Sequence, residues 1–505
     1  MEVDMAGETK DVAAITPDLV RLLSETAPTV VVLGDAILDV WLSGHCERIC
    51  REAPAPVVDV GARALSPGGA ANTAANLAAL GARARFVSVV GDDEPGRELA
   101  ALLDSHGVDT ENLLTAPSRR SISKQRVVAD DQVLLRFDEG DRDDLPAVQT
   151  NRLTKALENA LAGADALMVC DYGNGLLGKP LRDAVARLRA DIPLLVVDAH
   201  DFEHWLQARP DLVTPNAAEA ANLLGADLPE PGEERARLFE DERRTLLDKT
   251  GAAAAVVTMD RHGAMLLTGE GRGYRTWADP APESQASGAG DTFAAALVLA
   301  RAAGLPTTSC MELAQTAANV VVHQDGTAIC SQAQLSLALS REREAAVPAG
   351  ELARAVAAHR EAGRRVVFTN GCFDVLHRGH ITYLNEAKRL GDVLIVAVNS
   401  DESVRRLKGP DRPVNTAQDR AAVLSALSCV DHVAVFEEDT PIELLKLLEP
   451  QLYVKGGDYT ENMLPEAPTV RSYGGEVRVL GYVADHSTTS VIEKIRTSAP
   501  VGEGA

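Results

Sequence analysis

Short apolar runs recur along this chain, separated by Ala-rich segments of helical period. "TVVVLGD" (29–35), "ARFVSVVGD" (84–92), "ADALMVCDYG" (164–173) and "PLLVVDAH" (193–200) are rich in Val and Leu. "DLVTPN" (211–216) and "AAAVVTMD" (253–260) extend the series, and stretches such as "GGAANTAANLAALG" lie between its members. A strand that is apolar at successive positions needs cover on both faces, and helical crossovers supply it. The pattern predicts an α/β fold with a parallel sheet between helices.

The alternation loosens after "GTAICSQAQLS" into the polar, helix-prone "LALSREREAAVPAGELARAVAAHREAG". It resumes with "RRVVFTN", "DVLIVAVNSD", "VDHVAVFEE", "QLYVKGGD" and "GEVRVLGYV". The chain therefore reads as an N-terminal tail (1–28), a first α/β domain (29–335), a helical linker (336–363) and a smaller Rossmann-like α/β domain (364–505). The halves share no repeat, which points to fusion rather than duplication.

Composition narrows the partners. A formal net charge of -24 disfavours a general nucleic-acid or membrane-surface binder, which needs basic patches. It leaves small anionic substrates open, because a phosphate pocket is built locally. The seven cysteines are scattered, and Cys46 and Cys50 have no second pair to complete a zinc site. No apolar run reaches membrane-spanning length and "MEVDMAGETKDV" is acidic, so a reducing cytoplasm is the expected home.

In "SGAGDTFAAALVLARAAG", Gly288, Ala289 and Gly290 precede a helix, where small residues let backbone N–H groups close on an anion. Asp291 follows at a position from which a carboxylate takes a proton from a hydroxyl facing that anion. A tight turn with Asp in the first helical turn is the plain alternative. Gly68 and Gly69 form another glycine turn, with Asn72 and Asn76 on one helical face. Asp35 and Asp39 are placed at the end of the first strand, suited to sugar hydroxyls or to simple turn formation. Asn216 and Glu219 follow another strand, where Asn216 also reads as a helix start. His262 and His323 read as structural or surface residues.

In this order the motifs "SPGGAANTAANLAALGARARFVSVVGDD", "EAPAPVV", "VTPNAAEA" and "GAGDT" resemble the ribokinase-like (PfkB) carbohydrate kinases over about 29–332, and most closely the kinase half of the bifunctional enzymes of ADP-heptose synthesis. The resemblance implies Asp291 as catalytic base and Gly288, Ala289 and Gly290 as the anion hole. It puts Asn216 and Glu219 in the nucleotide and magnesium region, and Asp35, Asp39, Gly68, Gly69 and Asn72 on the sugar. The chain departs from that pattern at Gln285-Ala286-Ser287, at Cys50-Arg51, and at Asn174 and His200, where close relatives commonly carry lysines.

In "FTNGCFDVLHRGHITYLNEAKRLGD" a strand ends at Thr369, Asn370 and Gly371, Gly379 turns the backbone, and His380 falls at the next helix start. With His377 it offers two imidazoles to a triphosphate and to departing pyrophosphate. A pair of surface or metal-ligating histidines is the alternative, but no carboxylate or cysteine completes a ligand set and no protein-held metal is expected. A phosphate nucleophile needs no covalent intermediate, so Cys372 reads as packing. The stretch resembles the HxGH cytidylyltransferase-like nucleotidyltransferases, with "VAVNSDESVRRLKGPDRPVN", "VKGGDY" and "STTSVIEKI" in support over 366–496. That resemblance implies Lys408 on phosphate with Arg412 in reserve. It implies Lys455, Gly456, Gly457 and Asp458 with Ser487, Thr488 and Thr489 around the nucleotide, although "STT" also reads as an N-cap. Arg405 and Arg406 read as solvated helix charges.

Together the resemblances imply ATP- and Mg²⁺-dependent phosphorylation of a heptose 7-phosphate at O1, and adenylyl transfer from ATP to heptose 1-phosphate, in a homo-oligomer, expected to be a homodimer. Another sugar phosphate or another nucleotide is the first alternative. A first half that senses sugar phosphate without catalysis is the second.

Overall fold

The computed structural model describes residues 17–129, 132–230, 232–278, 288–322, 324, 326–340, 346–376, 378–456 and 463–481. The chain divides into two compact units, the first ending at Ser340.

In the first unit the described residues form a nine-stranded sheet. Its order from one edge is Tyr274–Thr276, Ala264–Thr268, Ala254–Thr258, Leu212–Val213, Leu195–Ala199, Ala166–Asp171, Thr29–Gly34, Arg83–Gly91 and Leu113–Ala116. The six apolar runs of the sequence all lie in it, and the strands they form are mutually parallel. Only Ala264–Thr268 and Tyr274–Thr276 at one edge run antiparallel to their neighbours. Thr29–Gly34 is buried at every position, as burial on both faces requires. Two Ala-rich helices, Ala70–Ala79 and Ala289–Ala302, pack on each other and on the strands, and small side chains let their backbones come close.

A second, four-stranded sheet was not foreseen. It consists of Pro56–Gly69, Ala36–Ile49, Ile122–Ala129 and Gln132–Glu139, in that order. Its strands mix charged and apolar residues, and Gln132–Glu139 is exposed throughout, so no continuous apolar run betrays it. This corrects the placement of Asp39, which lies inside Ala36–Ile49 and not at the end of the first strand. Asp35 stands at the junction where the chain leaves the large sheet for the small one.

The described residues of the second unit form a five-stranded parallel sheet in the order His432–Phe436, Val393–Asn399, Val366–Gly371, Leu452–Gly456, Glu476–Leu480. The stretch 336–363 is divided between the units. Helix Gln332–Ser340 belongs to the first, while helix Ala349–Glu361 buries Leu352 and Val356 in the second unit's core with Phe368 and Tyr453. No described helix is long and apolar enough to cross a membrane.

Candidate active sites

Asp291 is the third residue of helix Ala289–Ala302, whose N-cap Gly288 has φ 85°. A side chain there would be strained and would also meet the Asn72 amide at 3.0 Å. The amides of Gly288 to Gly290 therefore lie at a helix N-terminus, next to the carboxylate. Asn72 donates to Asp291 Oδ2 at 2.9 Å and the Tyr172 hydroxyl to Oδ1 at 2.9 Å. Burial pushes the Asp291 carboxyl up to about 6, against the pull of those two donors. A carboxylate tuned this way is largely ionised at neutral pH yet more basic than an exposed one, as a general base should be.

The neighbours extend the acidic site. Asp198 accepts from Thr214 at 3.2 Å, and burial, then Glu219 and Asp291, raise it to about 7. Asp35 is buried and accepts from the Tyr172 backbone N–H at 3.0 Å, while its Oδ1 has no hydrogen-bond partner among the described residues. Burial, with Asp171 second, raises it to about 6. Such an orphaned buried oxygen is ready to accept a ligand hydroxyl. Asp39 is held by Arg126 at 2.8 Å and Thr327 at 3.1 Å. Gly68 is needed beside it, since an added Cβ would lie 2.5 Å from Asp39 Oδ2. Of the expected sugar residues, Asn72 on helix Ala70–Ala79 touches Asp291 directly, Asp39, Gly68 and Gly69 lie in the small sheet, and Asp35 stands at the junction of the two sheets.

Asn216 caps helix Ala217–Leu224 and forms a reciprocal capping box with Glu219. Glu219 also pairs with His200 at 2.7 Å, which raises the imidazole's proton affinity. A cavity of about 500 Å³ opens beside Gly290, lined by Arg235, Thr258, Arg261, His262, Phe293 and Asn319 among others. Sequence reading had not singled out this cavity. Its wall comes from five separate segments, and His262, read as structural or surface, stands on it. No group of three or more metal-ligating side chains occurs among the described residues.

The second unit's site lies where its strand order reverses. Val366–Gly371 has Val393–Asn399 on one side and Leu452–Gly456 on the other, and ligands of such sheets bind at the carboxyl ends of the strands at this switch. Asn370 and Lys455 face each other across it: Lys455 Nζ donates to Asn370 Oδ1 at 2.8 Å, as does the Tyr453 hydroxyl at 2.8 Å. Burial holds the Lys455 ammonium below the ordinary lysine range. The Thr369 and Tyr383 hydroxyls bond each other. Gly371 and Gly456 lie tight against the rings of Phe373 and Tyr383. His380 is the third residue of helix Arg378–Lys388, its ring 5.3 Å from that of Phe373.

Arg412, expected in reserve for phosphate, is engaged through its Nε. It pairs with the fully buried carboxylate of Asp374, which also accepts from the Val414 and Asn415 backbone. Lys408 is exposed at the end of helix Asp401–Lys408. Arg405 and Arg406 are exposed and pair with Glu402 and Asp439. His377, Gly457, Asp458, Ser487, Thr488 and Thr489 lie outside the described residues, as do His323 and Gln285 to Ser287.

Residues 27–334 match the pfkB family of carbohydrate kinases, and residues 368–499 match the cytidylyltransferase-like family. A "Bifunctional protein HldE" from Trichlorobacter lovleyi is 39% identical over 485 residues, covering 94% of this chain and 98% of the relative. The protein of the same name from Azotobacter vinelandii is 41% identical over 472 residues, covering 92% and 97%. Among solved structures, Escherichia coli phosphofructokinase-2 in complex with potassium aligns with a TM-score of 0.51 at 19% identity. It covers 61% of this chain and 97% of that one, a likeness of fold.

Proposed function

The chain belongs to the family of bifunctional HldE proteins, and from that premise we propose which residues carry each of its two reactions. It is a sugar kinase and a nucleotidyltransferase in one polypeptide. The first unit phosphorylates D-glycero-β-D-manno-heptose 7-phosphate at O1 with ATP. The second joins heptose 1-phosphate to AMP from ATP, releasing pyrophosphate. Relatives named bifunctional match across both units, which leaves the non-catalytic sensor without support. A separate phosphatase must remove the 7-phosphate between the steps, so fusion matches the amounts of two activities and does not pass a product directly between them.

In the kinase, Asp291 takes the proton of the O1 hydroxyl, and the amides of Gly288 to Gly290 hold the transferred phosphoryl group. Asp35, Asp39, Gly68, Gly69 and Asn72 orient the sugar. ATP lies in the cavity beside Gly290, with Asn216 and Glu219 toward its phosphates. Mg²⁺, bound on those phosphates, supplies charge neutralisation. The observation that carries this reading is Asp291 itself, a raised-pKa carboxylate held by two donors beside a helix N-terminus.

In the transferase the sugar phosphate oxygen attacks the α-phosphorus of ATP directly. His380, with His377, donates to the phosphates as charge moves onto pyrophosphate. Lys455, Lys408 and the strand end Thr369–Gly371 neutralise and shape the site, and Gly456, Gly457, Asp458 and Ser487 to Thr489 enclose the nucleotide. We place the enzyme in the cytoplasm as a homodimer. The exposed apolar side chains of Val133, Leu135 and Phe137 on one edge strand of the small sheet support a second copy as their cover.

The test is incubation of the intact chain with heptose 7-phosphate, and separately with heptose 1-phosphate, and each nucleoside triphosphate, with products identified by mass spectrometry. Heptose 1,7-bisphosphate and ADP-heptose are expected. Phosphorylation absent with every nucleotide would overturn the kinase reading.

A further inference from the structure

Tyr172 touches two carboxylates with one hydroxyl. Its Oη lies 2.9 Å from Asp291 Oδ1 and 3.2 Å from Asp198 Oδ2. A phenol has a single hydrogen to donate. When both carboxylates are ionised, one of these contacts therefore sets two oxygens together with nothing between them. The arrangement is satisfied only when one further proton is present, and that proton moves from one carboxylate to the other by a switch of the tyrosine hydrogen. Each carboxylate's other oxygen has a donor of its own, Asn72 at Asp291 Oδ2 and Thr214 at Asp198 Oδ1, and the lone pairs that remain can take the sugar hydroxyl's proton or meet water. Strand register sets up the bridge: Cys170 pairs with Asp198 and Asp171 with Ala199, so Tyr172 stands alongside His200 and its long side chain reaches Asp198 diagonally, one pleat back on the same face.

We infer that Tyr172 and Asp198 form a proton relay behind the kinase base, passing onto Asp198 the proton that Asp291 removes from the sugar. The inference rests on the reading of Asp291 as base. Asp291 gains the hydroxyl hydrogen as the sugar oxygen bonds to phosphorus. It gives that hydrogen to Tyr172 Oη while Tyr172 gives its own to Asp198 Oδ2. One O–H bond breaks and one forms at the tyrosine, which ends neutral. Asp291 is ionised again and Asp198 carries the proton, which it yields to water before the next turnover. Neither Tyr172 nor Asp198 touches the reacting atoms, so both are positioning residues acting through Asp291.

Burial raises both carboxyls, Asp198 to about 7 and Asp291 to about 6, so either can hold a proton near neutrality. The tyrosine is pushed well above its ordinary value, chiefly by burial, and it conducts without ionising. The charged and titratable groups facing the trio are Asp39 and Lys124 toward Asp291, Glu219 and His200 toward Asp198, and Cys170 toward Tyr172.

The experiment measures kcat, KM and the pH profile of heptose 7-phosphate phosphorylation for the full chain and for Tyr172→Phe, Asp198→Asn and Asp291→Asn. Far-UV circular dichroism and the first unit's thermal transition control for folding of each variant, and adenylyl transfer controls for the amount of intact chain. Tyr172→Phe should lower kcat roughly tenfold, well short of the roughly 10²–10⁴-fold that loss of a general base costs. KM for the sugar phosphate should stay within about twofold. Its acid limb should move to higher pH, because Asp291 has lost a donor to its ionised form. Asp198→Asn should lower kcat comparably without moving the limb upward, since the amide donates to Tyr172 and leaves the tyrosine hydrogen on Asp291. If Tyr172→Phe does not fold, Asp198→Asn decides alone. Wild-type kcat in Asp198→Asn overturns the relay. Wild-type phosphorylation by Asp291→Asn would instead overturn the base assignment, so the two failures are told apart.

Discussion

Each unit presents its principal side chain as the third residue of a helix, Asp291 in Ala289–Ala302 and His380 in Arg378–Lys388. Around that shared placement the chemistry diverges. Asp291 sits in a crowd of acids with Asp198 and Asp39 close by, and burial raises its proton affinity. His380 opens the helix that follows strand Val366–Gly371, whose end at the switch point carries the bonded pair Asn370 and Lys455. The difference follows from the nucleophiles. A sugar hydroxyl must lose a proton before it attacks phosphorus, whereas a sugar phosphate arrives already anionic. One site needs a base, and the other needs only donors and positive charge.

The largest effect should come from removing the base. Asp291→Asn should depress phosphorylation by about 10²–10⁴-fold while adenylyl transfer from supplied heptose 1-phosphate continues. Assaying both reactions on one preparation checks this, and a loss of both would tie the units together in a way the comparison denies. The reciprocal change, His380→Ala, should lower adenylyl-transfer turnover by about 10²–10³-fold with sugar-phosphate affinity and kinase rate little altered. An effect confined to KM would mean that His380 binds ground state and transition state alike.

The smallest effect is one of stability. Asp35, Asp198 and Asp291 all bind protons more tightly folded than unfolded. Their contribution is fully present below the ordinary carboxylate value near 4, and is lost as pH rises through about 6 to 7. Glu476 in the second unit is held low by its bond to Arg478 and works in the opposite sense. Scanning calorimetry between pH 5.5 and 7.5 should therefore show the first unit's transition falling more with rising pH than the second's. Asp198→Asn should flatten that fall. Equal falls in both units would remove the contrast in acidity as the cause.

What could be read from the sequence was what is local or continuous. Both parallel sheets announced themselves through runs such as Val30–Val32 and Leu394–Val396, whose two-sided burial forbids polar residues. The turn Gly288–Gly290 and its Asp291 are contiguous, so one short motif displays anion hole and carboxylate together. Tyr172 and Asp198 gave no such signal. Each is a single polar residue at the end of an apolar strand, and only strand register makes them neighbours. The pairing of Arg412 was hidden for the same reason: it stands in a basic stretch, and its partner Asp374 is 38 residues earlier. The small sheet escaped notice because strands wetted on one side, interrupted by Arg, Asp and Glu, look much like loops.

Asn76 has a consequence for how the protein is made. Its amide oxygen accepts from Thr292 and from the backbone of Cys330, and its nitrogen donates to Asn72, the residue that steadies Asp291. Asn76 and Cys330 are 254 residues apart. A ribosome adding about 5–20 residues per second needs roughly 13–50 s to cover that distance. Throughout that interval the nascent strands have no finished sugar site, and a chain broken before Cys330 never completes one. The second unit's bond from Lys455 to Asn370 spans only 85 residues and closes in roughly a third of the time. Synthesis thus delivers the slow-closing kinase first and the quick-closing transferase last, so the two sites mature closer together in time than their order along the chain suggests.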